Sequence, residues 1–145
     1  MESAKFIPKA ELVDRDRFLL DFARGKSVPH IGMGGCVDDD AATGEFVAGD
    51  LTKSFHGKLA AVARTLDGID INPKTIEAMR QAIPGNYAVC DVTSADFISD
   101  FGDRKFQVVV FGYVIEHLDN FKTALKNLRG VLTDDGILIV STVNA

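Results

Sequence analysis

The run Phe106-Gln107-Val108-Val109-Val110-Phe111 constrains the fold of this chain more than any other feature. It is short for a helix, and its consecutive valines are β-branched residues that favour an extended backbone. Side chains along a strand point alternately to opposite faces, so an unbroken apolar run leaves no face for water. Such a strand belongs in a sheet covered on both sides, which in practice means a parallel sheet with helical crossovers. The rest of the chain supplies one. Val28–Ile31, Gly68–Ile71, Tyr87–Cys90 and Ile137–Ser141 read as four further short strands.

Helices fall between them. Glu11–Arg24 is a charged helix ended by Gly25, which suits a left-handed cap. Phe55, Leu59, Val62 and Leu66 recur at helical spacing and predict one apolar face. Asn72-Pro73 starts another helix, with Asn as cap and Pro at the first helical position, and Ile76, Met79 and Ile83 form its inner stripe. Ser94–Phe101 reads as a short helix, and Phe121, Leu125, Leu128 and Leu132 stripe the last one. Asp134-Asp135-Gly136 then makes the turn into the fifth strand. Strands alternating with helices predict an α/β three-layer sandwich with a mostly parallel sheet. Right-handed crossovers leave few topologies for it.

A chain of 145 residues is one domain with a real core. We divide it into an N-terminal helical segment, 1–25, and a sheet-bearing domain, 26–145. The net charge is −5, and Lys and Arg form no stripe, so a grip on a nucleic-acid backbone is not expected. No apolar run reaches the ~20 residues of a bilayer span. The start has no apolar signal region, which predicts a cytoplasmic protein. Cys36 and Cys90 make neither a disulfide framework nor a metal-ligand pair, and Cys90 reads as a core thiol. The run Asp38-Asp39-Asp40 reads as a solvated part of the loop from Cys36 to Phe55, a candidate lid, and no metal is expected.

Ligands of open parallel sheets sit beyond the carboxyl ends of the strands, where the winding reverses. After the first strand comes Gly32-Met33-Gly34-Gly35, which lets the backbone turn tightly against a ligand. After the second comes Asp70, whose carboxylate suits the two hydroxyls of a ribose; Asn72 takes the capping position and frees it. After the third comes Asp91, read either as a partner for an adenine amino group or as a turn cap. After the fourth come Gly112, Tyr113, Glu116 and His117. Tyr113 is expected over the cleft. His117 reads either as a general base or as a residue ordering its loop.

Together these strand ends resemble the Rossmann-like (class I) S-adenosylmethionine-dependent methyltransferases of the methyltransferase-domain type. The stretch Gly25 to Gly34 is similar to the family's first motif, V-L-D-I-G-C-G. Gly68-Ile69-Asp70-Ile71-Asn72-Pro73 resembles its second motif. Phe106 to Val110 followed by Glu116-His117-Leu118 resembles F-D-x-V followed by E-H-L. Leu128 to Leu132 with Asp135 to Leu138 resembles L-R-x-L-x-x-G-G. The resemblance implies strand order 3-2-1-4-5, with the family's sixth and seventh strands absent from this chain. It implies S-adenosylmethionine as cofactor, S-adenosylhomocysteine as product, and His30, Gly32, Gly34, Asp70, Ile71, Asp91, Val92 and Phe111 as cofactor-binding positions. Glu116, His117 and Tyr113 are the catalytic candidates. His30 departs from the pattern, standing where the family has an acidic residue, and the loop after Cys36 is longer than usual.

The resemblance implies methyl transfer to a small-molecule acceptor. A non-catalytic module that binds S-adenosylmethionine or S-adenosylhomocysteine, or a partner subunit, is the second reading. A nicotinamide-dependent oxidoreductase is the third, disfavoured by the missing third glycine and the late Asp70. The fifth strand is expected to expose an edge: either the chain is a fragment of a longer protein, or a second copy of the chain covers the edge.

Overall fold

The computed structural model describes residues 12–36, 38–39, 46–47 and 50–143. Half of the candidate lid between Cys36 and Phe55 lies outside the described residues, as does Glu11 at the expected start of the first helix. Five strands form one sheet: β1 (Ser27–Ile31), β2 (Thr65–Asp70), β3 (Asn86–Val89), β4 (Phe106–Gly112) and β5 (Leu132–Ser141). Their order is β3-β2-β1-β4-β5 and every neighbouring pair is parallel, as expected. The winding therefore reverses between β1 and β4. Among the described residues no strand pairs with the outer side of β5.

The valine run behaves as its composition dictates. Val108 and Val110 face one layer and Val109 and Phe111 the other, each at most 1% exposed. On the first face pack α1 (Arg15–Ala23), α2 (Phe55–Val62) and α3 (Pro73–Ala82). They bury Ala23, Leu59 and Leu66 in one cluster and Met33, Ile76 and Met79 in the next. On the second face Ile31, Ile69 and Phe111 meet Phe97, Phe101 and the Ala124 and Leu128 of α4 (Phe121–Gly130). Each large side chain so buried contributes roughly 1.5–3 kcal/mol. Asp14, Ser54, Asn72 and Asn120 each cap a helix by accepting a backbone N–H in its first turn.

Several elements differ from the sequence reading. Leu66 continues the helical spacing of Val62 but belongs to β2. Ala63 is extended, Arg64 N–H donates to Lys26 O at 2.8 Å, and Thr65 pairs with Ser27, so sheet pairing ends the helix first. Leu132 likewise opens β5 opposite Phe106. Phe106 then pairs with Leu132 and Val108 with Ile137, so the expected Asp134-Asp135-Gly136 turn is an irregularity inside one strand. The buried face of α4 is Ala124, Asn127 and Leu128, while Phe121 is exposed.

Ser94–Phe101 is mostly turn, with a 3-10 helix only at Ser99–Phe101. There Asp91 and Ser94 side chains accept the N–H groups of Thr93 and Asp96, local bonds that compete with a helix. Within the long loop, Asp38–Asp39 and Phe46–Val47 form a two-residue antiparallel ladder.

Candidate functional site

A cavity of about 480 Å³ opens at the carboxyl ends of β1, β2 and β4, where the winding reverses. Gly32 and Gly34 line one side. Gly32 sits at φ +81°, a backbone that L side chains rarely adopt, and a Cβ there would overlap the Val114 Cγ2 methyl. Gly34 lies close enough that its N–H donates to Asp70 Oδ2 at 2.8 Å. Asn72 N–H donates to Asp70 Oδ1 at 2.9 Å. The Asp70 carboxylate is thus fixed by the glycine turn on one side and the start of α3 on the other. A carboxylate has about four acceptor positions, so each oxygen keeps one for a ligand. Asp70 is also more than the free side chain expected beside the Asn72 cap, since it accepts the N–H of Asn72 itself.

Ile71, Cys90, Asp91, Val92 and Leu118 form a largely apolar slot beyond Asp70. Ile71 is 68% exposed, an apolar side chain that the described residues leave largely uncovered. Asp91 Oδ1 accepts from both the N–H and the hydroxyl of Thr93, and among the described residues Oδ2 has no partner. Asp91 therefore shapes its own turn, and one oxygen remains for a ligand. Cys90 is not the core thiol expected; it lines the cavity and donates from Sγ to Asp100 Oδ2 at 3.0 Å. Burial first, and then Asp100, push its pKa up to about 12, so it stays protonated and unreactive at neutral pH.

Tyr113, Val114 and His117 line the third side. Tyr113 has φ +55° and is 44% exposed. Glu116 is exposed and does not line the cavity. Phe111 is fully buried in the core and His30 lies on the other face of the sheet, so neither reaches the cavity. Strand alternation explains His30: it sends Ile31 to the cavity and the histidine toward α2.

His30 instead begins a buried chain of ring contacts. Its Nδ1 lies 3.1 Å from His56 Nδ1, and His56 Nε2 lies 3.1 Å from the Tyr87 hydroxyl. Tyr87 donates to Ile83 O at 2.9 Å, so it accepts from His56 Nε2–H. His56 Nδ1 is then bare and accepts from His30 Nδ1–H. Burial holds both rings neutral: His56 falls to about 4, and His30 lies well below its ordinary value, with the His56 and Arg15 charges adding to burial.

Of the positions expected from the sequence, the fold gathers Gly32, Gly34, Asp70, Ile71, Asp91, Val92, Tyr113 and His117 around one cavity. It adds Ile31, Val114 and Leu118. Ile31 was legible as the last strand residue before the turn and Leu118 as the end of the Glu116-His117-Leu118 stretch; Val114 carries no signal beyond being apolar. Asn127 was also missed. Its Nδ2 donates to Val92 O at 2.8 Å and Ser94 O at 2.9 Å, tying α4 to the slot.

A family profile described as a methyltransferase domain matches residues 47–140, well over half of the chain. The ubiquinone biosynthesis O-methyltransferase of Glaesserella parasuis serovar 5 is 29% identical over 126 residues, covering 83% of this chain and 46% of that protein. The chain thus spans less than half the length of this curated relative. The N-methyltransferase NodS from Bradyrhizobium japonicum WM9, solved with S-adenosyl-L-homocysteine, superposes with TM-score 0.61 at 20% identity, over 87% of this chain and 59% of that one. A TehB-like SAM-dependent methyltransferase from Corynebacterium glutamicum gives TM-score 0.63 at 22% identity, over 86% and 59%. The parallel sheet in 3-2-1-4-5 order, the cavity at its switch point and the family profile agree: this chain belongs to the methyltransferase-domain family, among the Rossmann-like, S-adenosylmethionine-dependent class I methyltransferases.

Proposed function

We propose that this chain binds S-adenosylmethionine in the 480 Å³ cavity and directs its methyl group to a small-molecule acceptor. The observation that carries this reading is the Asp70 carboxylate, immobilised by Gly34 and Asn72 N–H groups with one acceptor position free on each oxygen. That arrangement suits two adjacent ribose hydroxyls. Ile71, Val92 and Leu118 offer an apolar slot for a purine, and the free Asp91 Oδ2 suits its exocyclic amino group. Gly32 and Gly34 leave room for the amino-acid end.

When bound, the cofactor supplies a methyl group on a positively charged sulfur. The chain's own residues orient and exclude water. The apolar lining keeps the reacting end dry. His117, on the Tyr113 side of the cavity, is the group we assign to accept a proton from a hydroxyl acceptor. The name of the O-methyltransferase relative supports oxygen as the acceptor atom. The acidic surface charge supports a small acceptor over a nucleic acid.

Isothermal titration with S-adenosylhomocysteine tests the reading, and one site per chain is expected. Binding of NAD with none of S-adenosylhomocysteine would overturn it.

A further inference from the structure

We propose that Arg15 is a positioning residue that holds the Tyr113 ring in place as the acceptor-side wall of the cavity. The proposal rests on reading the cavity as a methyl-transfer site. Among the described residues, Tyr113 is the one non-glycine residue with positive φ, at +55°. An aromatic L residue keeps such a backbone only where its surroundings compensate the strain. Two contacts do so. Tyr113 N–H donates to Ser141 O at 2.8 Å, and the Arg15 guanidinium carbon lies 4.8 Å from the Tyr113 ring centroid.

The same guanidinium lies 4.9 Å from the Phe55 ring centroid, so the cation contacts two aromatic rings. Its Nη2 donates to Ser141 Oγ and its Nη1 to Asp16 Oδ1, both at 3.1 Å. Asp16 is shared with Lys58 at 2.8 Å, so Arg15 is not neutralised one to one. Arg15 Nε is buried without a hydrogen-bond partner, a penalty the fold accepts while keeping the cation against the rings. Gly112 makes the approach possible: a Cβ there would stand 3.2 Å from both Arg15 Nη2 and Ser141 Oγ.

α1, α2 and β5 thus meet at the Arg15 guanidinium, which lies against the Tyr113 ring of the β4 loop. Arg15 does not line the cavity and Tyr113 does, so the proposed role of Arg15 acts on a ligand through Tyr113.

The test combines Arg15→Met, Arg15→Lys, Tyr113→Ala and the Arg15→Met/Tyr113→Ala double variant, with folding checked by thermal melts. S-adenosylhomocysteine affinity is one readout. Acrylamide quenching of Tyr113 fluorescence is the other, read in a Tyr87→Phe background because the chain has two tyrosines and no tryptophan. Arg15→Met is expected to weaken binding about tenfold and to raise quenching, while Arg15→Lys keeps the cation and stays within about threefold. In the Tyr113→Ala background Arg15→Met is expected to add less than about twofold. Equal losses in both backgrounds, or unchanged quenching in folded Arg15→Met, would overturn the proposal. If the unsubstituted protein binds no S-adenosylhomocysteine, the methyl-transfer reading fails. Quenching in the ligand-free protein then still decides whether Arg15 holds Tyr113.

Discussion

Asp70 accepts from the Gly34 N–H, 36 residues before it, and from the Asn72 N–H, so both of its oxygens are already engaged before any ligand arrives. Removing it leaves the Gly34 and Asn72 N–H groups without acceptors and takes away the proposed ribose partner. Hydrogen bonds to charged groups are worth roughly 1.5–3 kcal/mol each. Asp70→Ala is therefore expected to lower S-adenosylhomocysteine affinity by at least about a hundredfold; both N–H groups are only part-buried and water can replace the carboxylate, so stability is expected to fall by roughly 1–3 kcal/mol. Calorimetry and urea melts check the two separately; full-affinity binding by Asp70→Ala would remove Asp70 from the site. At this scale the sequence was informative wherever a residue's role follows from its place on an element. Asp70 ends a strand and precedes an Asn-Pro helix start, so its position was legible. His30 was not. Its motif position suggested the cofactor, yet the phase of the strand turns it away, toward His56 26 residues further on. Motif spacing carries no information about such a partner.

Elements were legible where periodicity and punctuation agreed, as in α3 with its Asn72 cap and in the buried β4 run. They were misread where a hydrophobic period ran past its element, at Leu66 and Leu132, because parallel pairing with β1 and β4 captured those residues. The face of α4 was misread for a related reason: a polar residue, Asn127, occupies a core position that an apolar-stripe search passes over. Its amide donates to two carbonyls of the β3–β4 connection and so fixes the backbone beside Asp91 and Val92. Asn127→Ala leaves those carbonyls unpaired and is expected to cost roughly 1–3 kcal/mol. Asn127→Asp, nearly the same shape, turns an acceptor onto two acceptors and is expected to be worse than alanine. Denaturant melts that rank aspartate level with the native residue would show that the amide does not hold the slot.

For the whole molecule, the buried histidine pair couples the sheet, α2 and β3 to pH. His56 Nδ1 accepts from His30 Nδ1–H in the neutral state, so protonating His56 sets two N–H donors against each other 3.1 Å apart. With its pKa lowered from 6.5 to about 4, His56 binds its proton in the unfolded chain before it does in the folded one. Stability is then fully present above pH 6.5 and falls as pH drops toward about 4, by about 3 kcal/mol from this residue. His30, lowered for the same reason, adds in the same direction. Gln fits the His56 site with an oxygen to accept from His30 and an amide to donate to Tyr87, and it does not titrate. Urea melts between pH 7.5 and 4.5 should therefore show a steep loss in the native protein and a shallower one in His56→Gln. Matching slopes would show that His56 does not carry the acid sensitivity. His30 stands two residues before Gly32, at the root of the turn that holds Asp70. Acid should accordingly weaken S-adenosylhomocysteine binding in the same window that destabilises the fold, and His56→Gln should preserve both together.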